Sequence, residues 1–345
     1  MKKVFIISLL LCLASGIKAQ EEETVDRTPK IGGVLRGKYE YQVDDKKGRF
    51  EVRTARINVT GDINPKVSYK AEIDLCDEGQ IKMLDAYTRI KPWKDFQFTI
   101  GQERVPFTID AHRNPANQYF ANRSFIAKQV GNVRDVGAEV GYTFHPGFPI
   151  NIRAGIFNGS GLTNQKDFWT NNINFSAKAE FLLPFGLNVV LSSQKVKPDC
   201  VDIMMYDAGL TYHHKGFVIE AEYLYKHYAD DAFHPVHAFD GFACYDIPLK
   251  CEKQLIKKVS PLVRYDYMTD HSDGKRYLDG VANKEGQLKI NDYKRSRITG
   301  GVTLSMDKPF CSDIRINYEK YFYGHEGIAK TSEKDKFVIE FVTKF

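Results

Sequence analysis

KVSYKAEIDL, residues 66–75, alternates without a break. Val67, Tyr69, Ala71, Ile73 and Leu75 take one face of an extended chain, and Lys66, Ser68, Lys70, Glu72 and Asp74 take the other. Successive strand side chains point to opposite faces, so this segment forms a strand with one apolar and one polar surface. The pattern recurs in NINFSAKAEFL (172–182), where Ile173, Phe175, Ala177, Ala179 and Phe181 oppose Asn174, Ser176, Lys178 and Glu180. It recurs again in GFVIEAEYLYK (216–226) and in the closing KFVIEFVTKF (336–345), which places Phe337, Ile339, Phe341 and Phe345 together.

Working outward from these segments, the period-2 pattern predicts about sixteen strands, starting near 31, 49, 66, 82, 95, 135, 150, 172, 186, 202, 217, 237, 257, 292, 312 and 335. Short connections such as GDINP (61–65), KPWKD (91–95), HPGFP (145–149), LPFG (183–186) and HHKG (213–216) alternate with longer ones near 104–134, 158–171, 229–236 and 269–291. An even number of strands, with short turns on one rim and long loops on the other, describes an all-β transmembrane antiparallel β-barrel of the outer-membrane type. Many segments run roughly nine to twelve residues, enough to cross a bilayer when tilted and longer than the strands of a soluble sandwich. Sixteen strands leave a water-filled lumen. The composition agrees: 23 Phe, 19 Tyr and 26 Gly against 2 Trp, with a mean hydropathy of −0.39.

At the N-terminus, MKK, the apolar run VFIISLLLCLASG and then IKA read as a signal peptide over residues 1–19. Residues 20–30 are then a periplasmic N-terminal segment, and 31–345 the barrel. Removing Lys2, Lys3 and Lys18 lowers the net charge from +5 to +2, which argues against a nucleic-acid partner. Five cysteines remain, at 76, 200, 244, 251 and 311; Cys244 and Cys251 are close enough in sequence to pair, and unpaired packing is the preferred reading.

In a barrel the polar face looks inward, so inward candidates include Arg36, Lys38, Lys70, Arg153, Lys178, Arg264, Arg297 and Arg315, shared with acids such as Glu72, Glu220 and Glu319. Arg53 and Arg56, three apart, reach the same side only across a bulge or with one of them near a rim. The 30-residue connection after residue 104 carries Arg104, Arg113, Arg123, Lys128 and Arg134 with one acid, Asp110. Such a length marks a functional loop. Folded into the lumen and anchored by Phe107, Tyr119, Phe120 and Phe125, it narrows the bore with guanidiniums, which suit oxyanions through paired N–H bonds. Arg134 and Asp135 read as a structural pair.

The segments VRTARINVTGDI (52–63), LDAYTRIKP (84–92), FTIGQERVPF (98–107), RDVGAEVGYTF (134–144) and GIFNGSG (155–161) together resemble the phosphate-selective porin O and P family. The resemblance implies sixteen-stranded trimeric outer-membrane channels that take up anions, phosphate among them, past a third extracellular loop folded into the lumen. It carries over Arg53, Arg56 and Arg104, while Arg36, Arg113, Arg123 and Lys128 join the expected anion path through charge and position. Thr54 stands where the family has a second arginine, so a general small-solute porin is an open alternative, as is a non-conducting surface-binding barrel. No catalytic motif or cofactor is expected: SMDK at 305–308 lacks companion motifs, and His227, His234 and His237 read as solvated.

Overall fold

The computed structural model describes residues 25–77, 80–130, 134–162, 165–250, 255–277, 286–325, 330 and 332–345. The signal-peptide reading and Cys251 fall outside the described residues.

Sixteen strands form one closed antiparallel barrel. The first eight are β1 (Lys30–Gln42), β2 (Lys47–Asn64), β3 (Val67–Asp77), β4 (Gln80–Ile90), β5 (Phe96–Arg104), β6 (Arg134–Phe144), β7 (Ile150–Phe157) and β8 (Asn174–Leu182). The second eight are β9 (Leu187–Val196), β10 (Ile203–His214), β11 (Phe217–Tyr228), β12 (Val236–Tyr245), β13 (Lys258–Met268), β14 (Arg295–Met306), β15 (Ser312–Tyr323) and β16 (Lys336–Lys344). Every start lies within three residues of the position expected from alternation. Each strand pairs with its sequence neighbour, and β16 returns to β1 with Ile339 opposite Tyr39. Gly33 N donates to Phe345 O at 2.9 Å and Phe345 N donates to Gly33 O at 3.2 Å, which closes the seam.

The wall is apolar outside and polar inside. On β16, Phe337, Ile339 and Phe341 are each about half exposed, while Glu340 between them is fully buried. This is the inverse of a soluble barrel and matches a hydrocarbon exterior with a hydrogen-bonded interior. Exposed Phe50, Phe144, Phe217, Tyr245, Phe322 and Phe337 lie near strand ends, as interfacial aromatic girdles do.

A bulge lies in β2. Arg36 faces Thr54 and Gly37 faces Val52, so Arg53 has no opposite residue. The extra residue puts Arg53 near Arg36 rather than on the outer side with Val52.

The segment following β5 is bonded to side chains of strands all around the far wall. Pro106 O accepts from Ser176 Oγ of β8 at 2.7 Å, Thr108 N donates to Ser192 Oγ of β9 at 3.1 Å, and Phe125 N donates to Asp266 of β13 at 3.2 Å. Arg297 of β14 donates to Arg123 O at 2.7 Å, Ala121 N donates to Asn317 of β15 at 2.9 Å, and Arg36 of β1 donates to Gln118 at 2.7 Å. Asp110–His112 and Pro115–Asn117 are single 3₁₀ turns, and Ile126–Val130 is a π turn.

Apolar packing reinforces these bonds. Phe107, Phe125 and Ile126 are buried among Met205, Leu224, Val236, Ala238 and Met268, inward residues of β10 to β13. A second group sets Phe120 and Tyr119 against Phe242, Val218 and Leu262. The expected anchors Phe107, Tyr119, Phe120 and Phe125 therefore all pack on the wall. Part of the inner wall is thus apolar, contrary to a reading that made every inward position polar; the segment supplies the partners that make this burial favourable.

Candidate functional site

On the side opposite those contacts, a cavity of about 190 Å³ opens between the segment and β2 to β7. Six consecutive strands supply one cation each: Arg56, Lys70, Arg89, Arg104, Arg134 and Arg153. His112, Asn114 and Pro115 border the cavity from the loop.

Ion pairing neutralises most of that charge. Glu72 lies 2.8 Å from Lys70, 3.4 Å from Arg56 and 3.5 Å from Arg134. Asp85 is 2.7 Å from both Lys70 and Arg134, and Asp74 is 2.9 Å from Arg56. Glu139 holds Arg153 through two bonds of 2.6 and 2.8 Å, and Glu103 lies 3.3 Å from Arg89. Arg104 is the exception. It has no carboxylate partner among the described residues, and its Nη1 donates to the carbonyls of Ala111 and Arg113.

Arg123 resembles it: Nη1 donates to Asp110 O at 2.7 Å and Ala111 O at 3.1 Å, and Nη2 donates to Arg113 O at 2.9 Å. Burial lowers the Arg123 guanidinium to about 10; Asp110 opposes the shift, while Arg36, Arg56 and Arg134 add to it. Burial, with Lys178, Arg153 and Arg104 nearby, also holds His112 well below the usual imidazole range, so it stays neutral. Burial is the larger cause of both shifts, and the neighbouring cations add to it.

Glu72, Asp85 and Glu103 line the cavity with these cations, and a second set of acids lies behind the loop. Asp207, Glu220, Glu222, Asp240 and Asp266 are buried on β10 to β13, and the loop covers them: Arg113 pairs with Glu220, Ile109 N donates to Glu222, and Phe125 N donates to Asp266. The loop separates this acidic wall from a cavity in front that cations and their paired acids line together.

The expected site residues divide accordingly. Arg56 and Arg104 border the cavity together. Arg113 turns to the acidic wall, bonded to Asp110 at 3.1 Å and to Glu220, with its guanidinium over the Tyr119 ring. Arg36 pairs with Glu340 at 2.6 Å, and Lys128 pairs with Glu333 at 2.8 Å, away from the cavity. The side chain of Arg53 makes no hydrogen bond or ion pair among the described residues. The expected Arg134–Asp135 pair does not form. Arg134 bonds Asp85, while Asp135 accepts from the backbone N–H groups of Val136, Gly159 and Gly161. Arg89 and Arg134 were missed as lining residues, although Asp85, Tyr87 and Arg89 alternate onto one face of β4.

Residues 33–191, from within β1 to the middle of β9 and including the whole cavity lining, match the family model described as phosphate-selective porin O and P. Over this region the chain is similar to that family. No curated protein matches the chain in sequence. Among solved structures, the chain is similar to OmpT of Vibrio cholerae in its trimer form at 12% identity and TM-score 0.60, covering 92% of this chain and 98% of that one. It is similar to the anion-selective porin from Comamonas acidovorans at 11% identity and TM-score 0.58, covering 92% and 99%. It is also similar to OprB of Pseudomonas putida at 10% identity and TM-score 0.62, covering 92% and 94%. These likenesses establish the porin barrel fold. The family match and the barrel fold together support an outer-membrane location.

Proposed function

We propose that the protein is an outer-membrane porin, a passive channel rather than an enzyme, that admits small anions, phosphate among them. The passage runs between the inturned segment 105–130 and strands β2 to β7. The observation that carries this reading is the cation set of the cavity, one from each of six consecutive strands, with Arg104 uncompensated by any carboxylate among the described residues.

An anion entering the cavity exchanges part of its hydration for guanidinium N–H groups. Because each remaining cation is shared with an acid, the exchange stays weak enough for release. Arg53, Arg56, Arg104 and Arg123 form the anion path in this proposal, with Arg36, Arg113 and Lys128 holding the loop. The same ion pairing favours a second reading, a general small-solute porin with only a mild anion preference. We further propose a homotrimer in outer-membrane lipid, exported through a cleaved signal of residues 1–19, with residues 20–30 in the periplasm and 31–345 forming the barrel.

The test is reversal potential and conductance in planar bilayers under a potassium chloride gradient, with phosphate added. An anion-directed potential, together with phosphate-dependent block of chloride current, supports the first reading. An anion-directed potential without block supports the second. An absence of conductance rejects both.

A further inference from the structure

Two consecutive residues of the cavity keep opposite charges unspent. Arg104 uses Nη1 for the carbonyls of Ala111 and Arg113, and its Nε and Nη2 meet no acceptor among the described residues. Glu103 meets the wall through Oε2 alone, 3.3 Å from Arg89 and 3.8 Å from Arg153, and its Oε1 has no partner among the described residues. Adjacent strand residues point to opposite faces. Both nevertheless line the cavity, because β5 ends at Arg104 and the chain turns into the loop there.

The other acids around the cavity are held more tightly. Glu72 lies 2.8 Å from Lys70, Asp85 lies 2.7 Å from both Lys70 and Arg134, and Glu139 holds Arg153 at 2.6 and 2.8 Å. With Arg153 so engaged, Arg89 is the nearer partner of Glu103, and Arg89 is itself shared. Its Nε donates to Thr99 Oγ1 at 3.0 Å and its guanidinium lies over the Tyr87 ring at 4.8 Å. Ionic attraction weakens with separation, so Glu103 is the cavity acid with most left to offer a solute.

A site for anions alone gains nothing from such a carboxylate, which repels the solute that Arg104 attracts. A solute carrying both charges a few bonds apart suits the pair. Its carboxylate accepts from Arg104, and its ammonium donates to Glu103 Oε1, giving two charge-assisted hydrogen bonds. A simple anion makes one of these bonds and meets a like charge at the other position.

We propose that the cavity takes small zwitterions, amino acids with few side-chain atoms, in addition to simple anions. Glu103 sets this preference and Arg104 receives the oxyanion end. The permeating class rests on the porin reading; binding at the two residues does not.

The test adds glycine or glycolate, which shares the carboxylate and lacks the ammonium, to chloride-conducting channels in planar bilayers at mildly alkaline pH. Wild type is half-blocked by glycine at a concentration about three- to tenfold below that for glycolate. Glu103→Gln loses this advantage while its glycolate block stays the same or strengthens, Glu103→Asp keeps it, and Arg104→Gln weakens block by both solutes. Equal or weaker block by glycine in wild type, or an unchanged ratio in Glu103→Gln, overturns the proposal. Should Glu103→Gln fail to insert, wild type and Glu103→Asp decide, and loss of the glycine advantage in Glu103→Asp counts against it. In a protein that never conducts, the porin reading falls, and calorimetry on detergent-folded wild type decides the site: glycine binding tighter than glycolate binding keeps it, and no glycine binding rejects it.

Discussion

Arg104 and Arg123 donate to the same two carbonyls, Ala111 O and Arg113 O, from opposite ends of the loop. Peptide oxygens shared in this way hold two like charges close together, with the Asp110 carboxylate acting on Arg123 and none paired with Arg104 among the described residues. Neutral acceptors satisfy the N–H groups and leave the net charge in place, whereas acids would cancel it. Of the two, Arg104 lines the cavity and has no carboxylate partner among the described residues.

Arg104→Gln keeps a donor for those carbonyls and removes the charge. We expect the chloride-over-potassium permeability ratio to fall by about three- to tenfold, or about 0.7–1.4 kcal/mol, with assembly unchanged. Arg153→Gln removes a cation already held by Glu139 and should raise cation permeability less. Reversal potentials of the two variants, measured side by side, check the ranking; equal effects would place the selectivity in the whole cation set.

Phe125→Ala should detach the loop and spare the barrel. Phe125 is buried in the apolar cluster and lies under the guanidiniums of Arg295 and Arg297 at 4.5 and 4.8 Å from the ring. Truncating such a side chain costs about 3–5 kcal/mol. None of that packing belongs to the strand ladder, so the barrel should keep its heat-modifiable gel mobility. Single-channel current should become larger and noisier, and trypsin should cut at Arg113 or Arg123.

Acid should loosen the same loop through Asp110. Burial alone would raise its carboxyl, but Arg123, Arg113, Arg264 and the Ser124 N–H hold it down at about 2. A carboxylate held below its ordinary 3.8 stabilises the folded loop above that pH and loses the contribution as pH falls toward 2. Pepsin cleavage within 105–130 should rise between those values in wild type. Asp110→Asn should be cleaved equally at both ends of the range.

Phe345→Ala should lower assembly and leave permeation alone. The Phe345 ring occupies the space above Gly33, where an added Cβ would meet it at 2.2 Å, so Gly33→Val should damage the same seam from the other strand. The folded fraction on unheated gels should drop for both variants. The reversal potential of the molecules that do insert should equal that of wild type.

The barrel was legible because each strand states its own register. In KFVIEFVTKF the period of two assigns Phe337, Ile339 and Phe341 to lipid and Glu340 to the interior without reference to any neighbour. That reasoning fails where an inward position is apolar. Leu224 and Met268 sit on faces read as lumenal and polar, and only the docking of Phe107 and Phe125 explains their burial.

Site chemistry was legible by residue type alone. Arg104, Arg113 and Arg123 look equivalent in a string of letters, yet Arg113 is spent on Glu220 while Arg104 faces the cavity. Arg134 next to Asp135 suggested a pair, but adjacent strand residues point to opposite faces, so each found partners elsewhere.

What the chain determines by itself is a closed wall of sixteen strands and the side each of them shows to lipid, because alternation is a local property of extended backbone. Which guanidiniums keep their charge, and on which side of the loop, was decided only by folding, because pairing depends on distances between residues far apart in the chain. Arg36 and Glu340 are 2.6 Å apart across the seam, and no local pattern joins them.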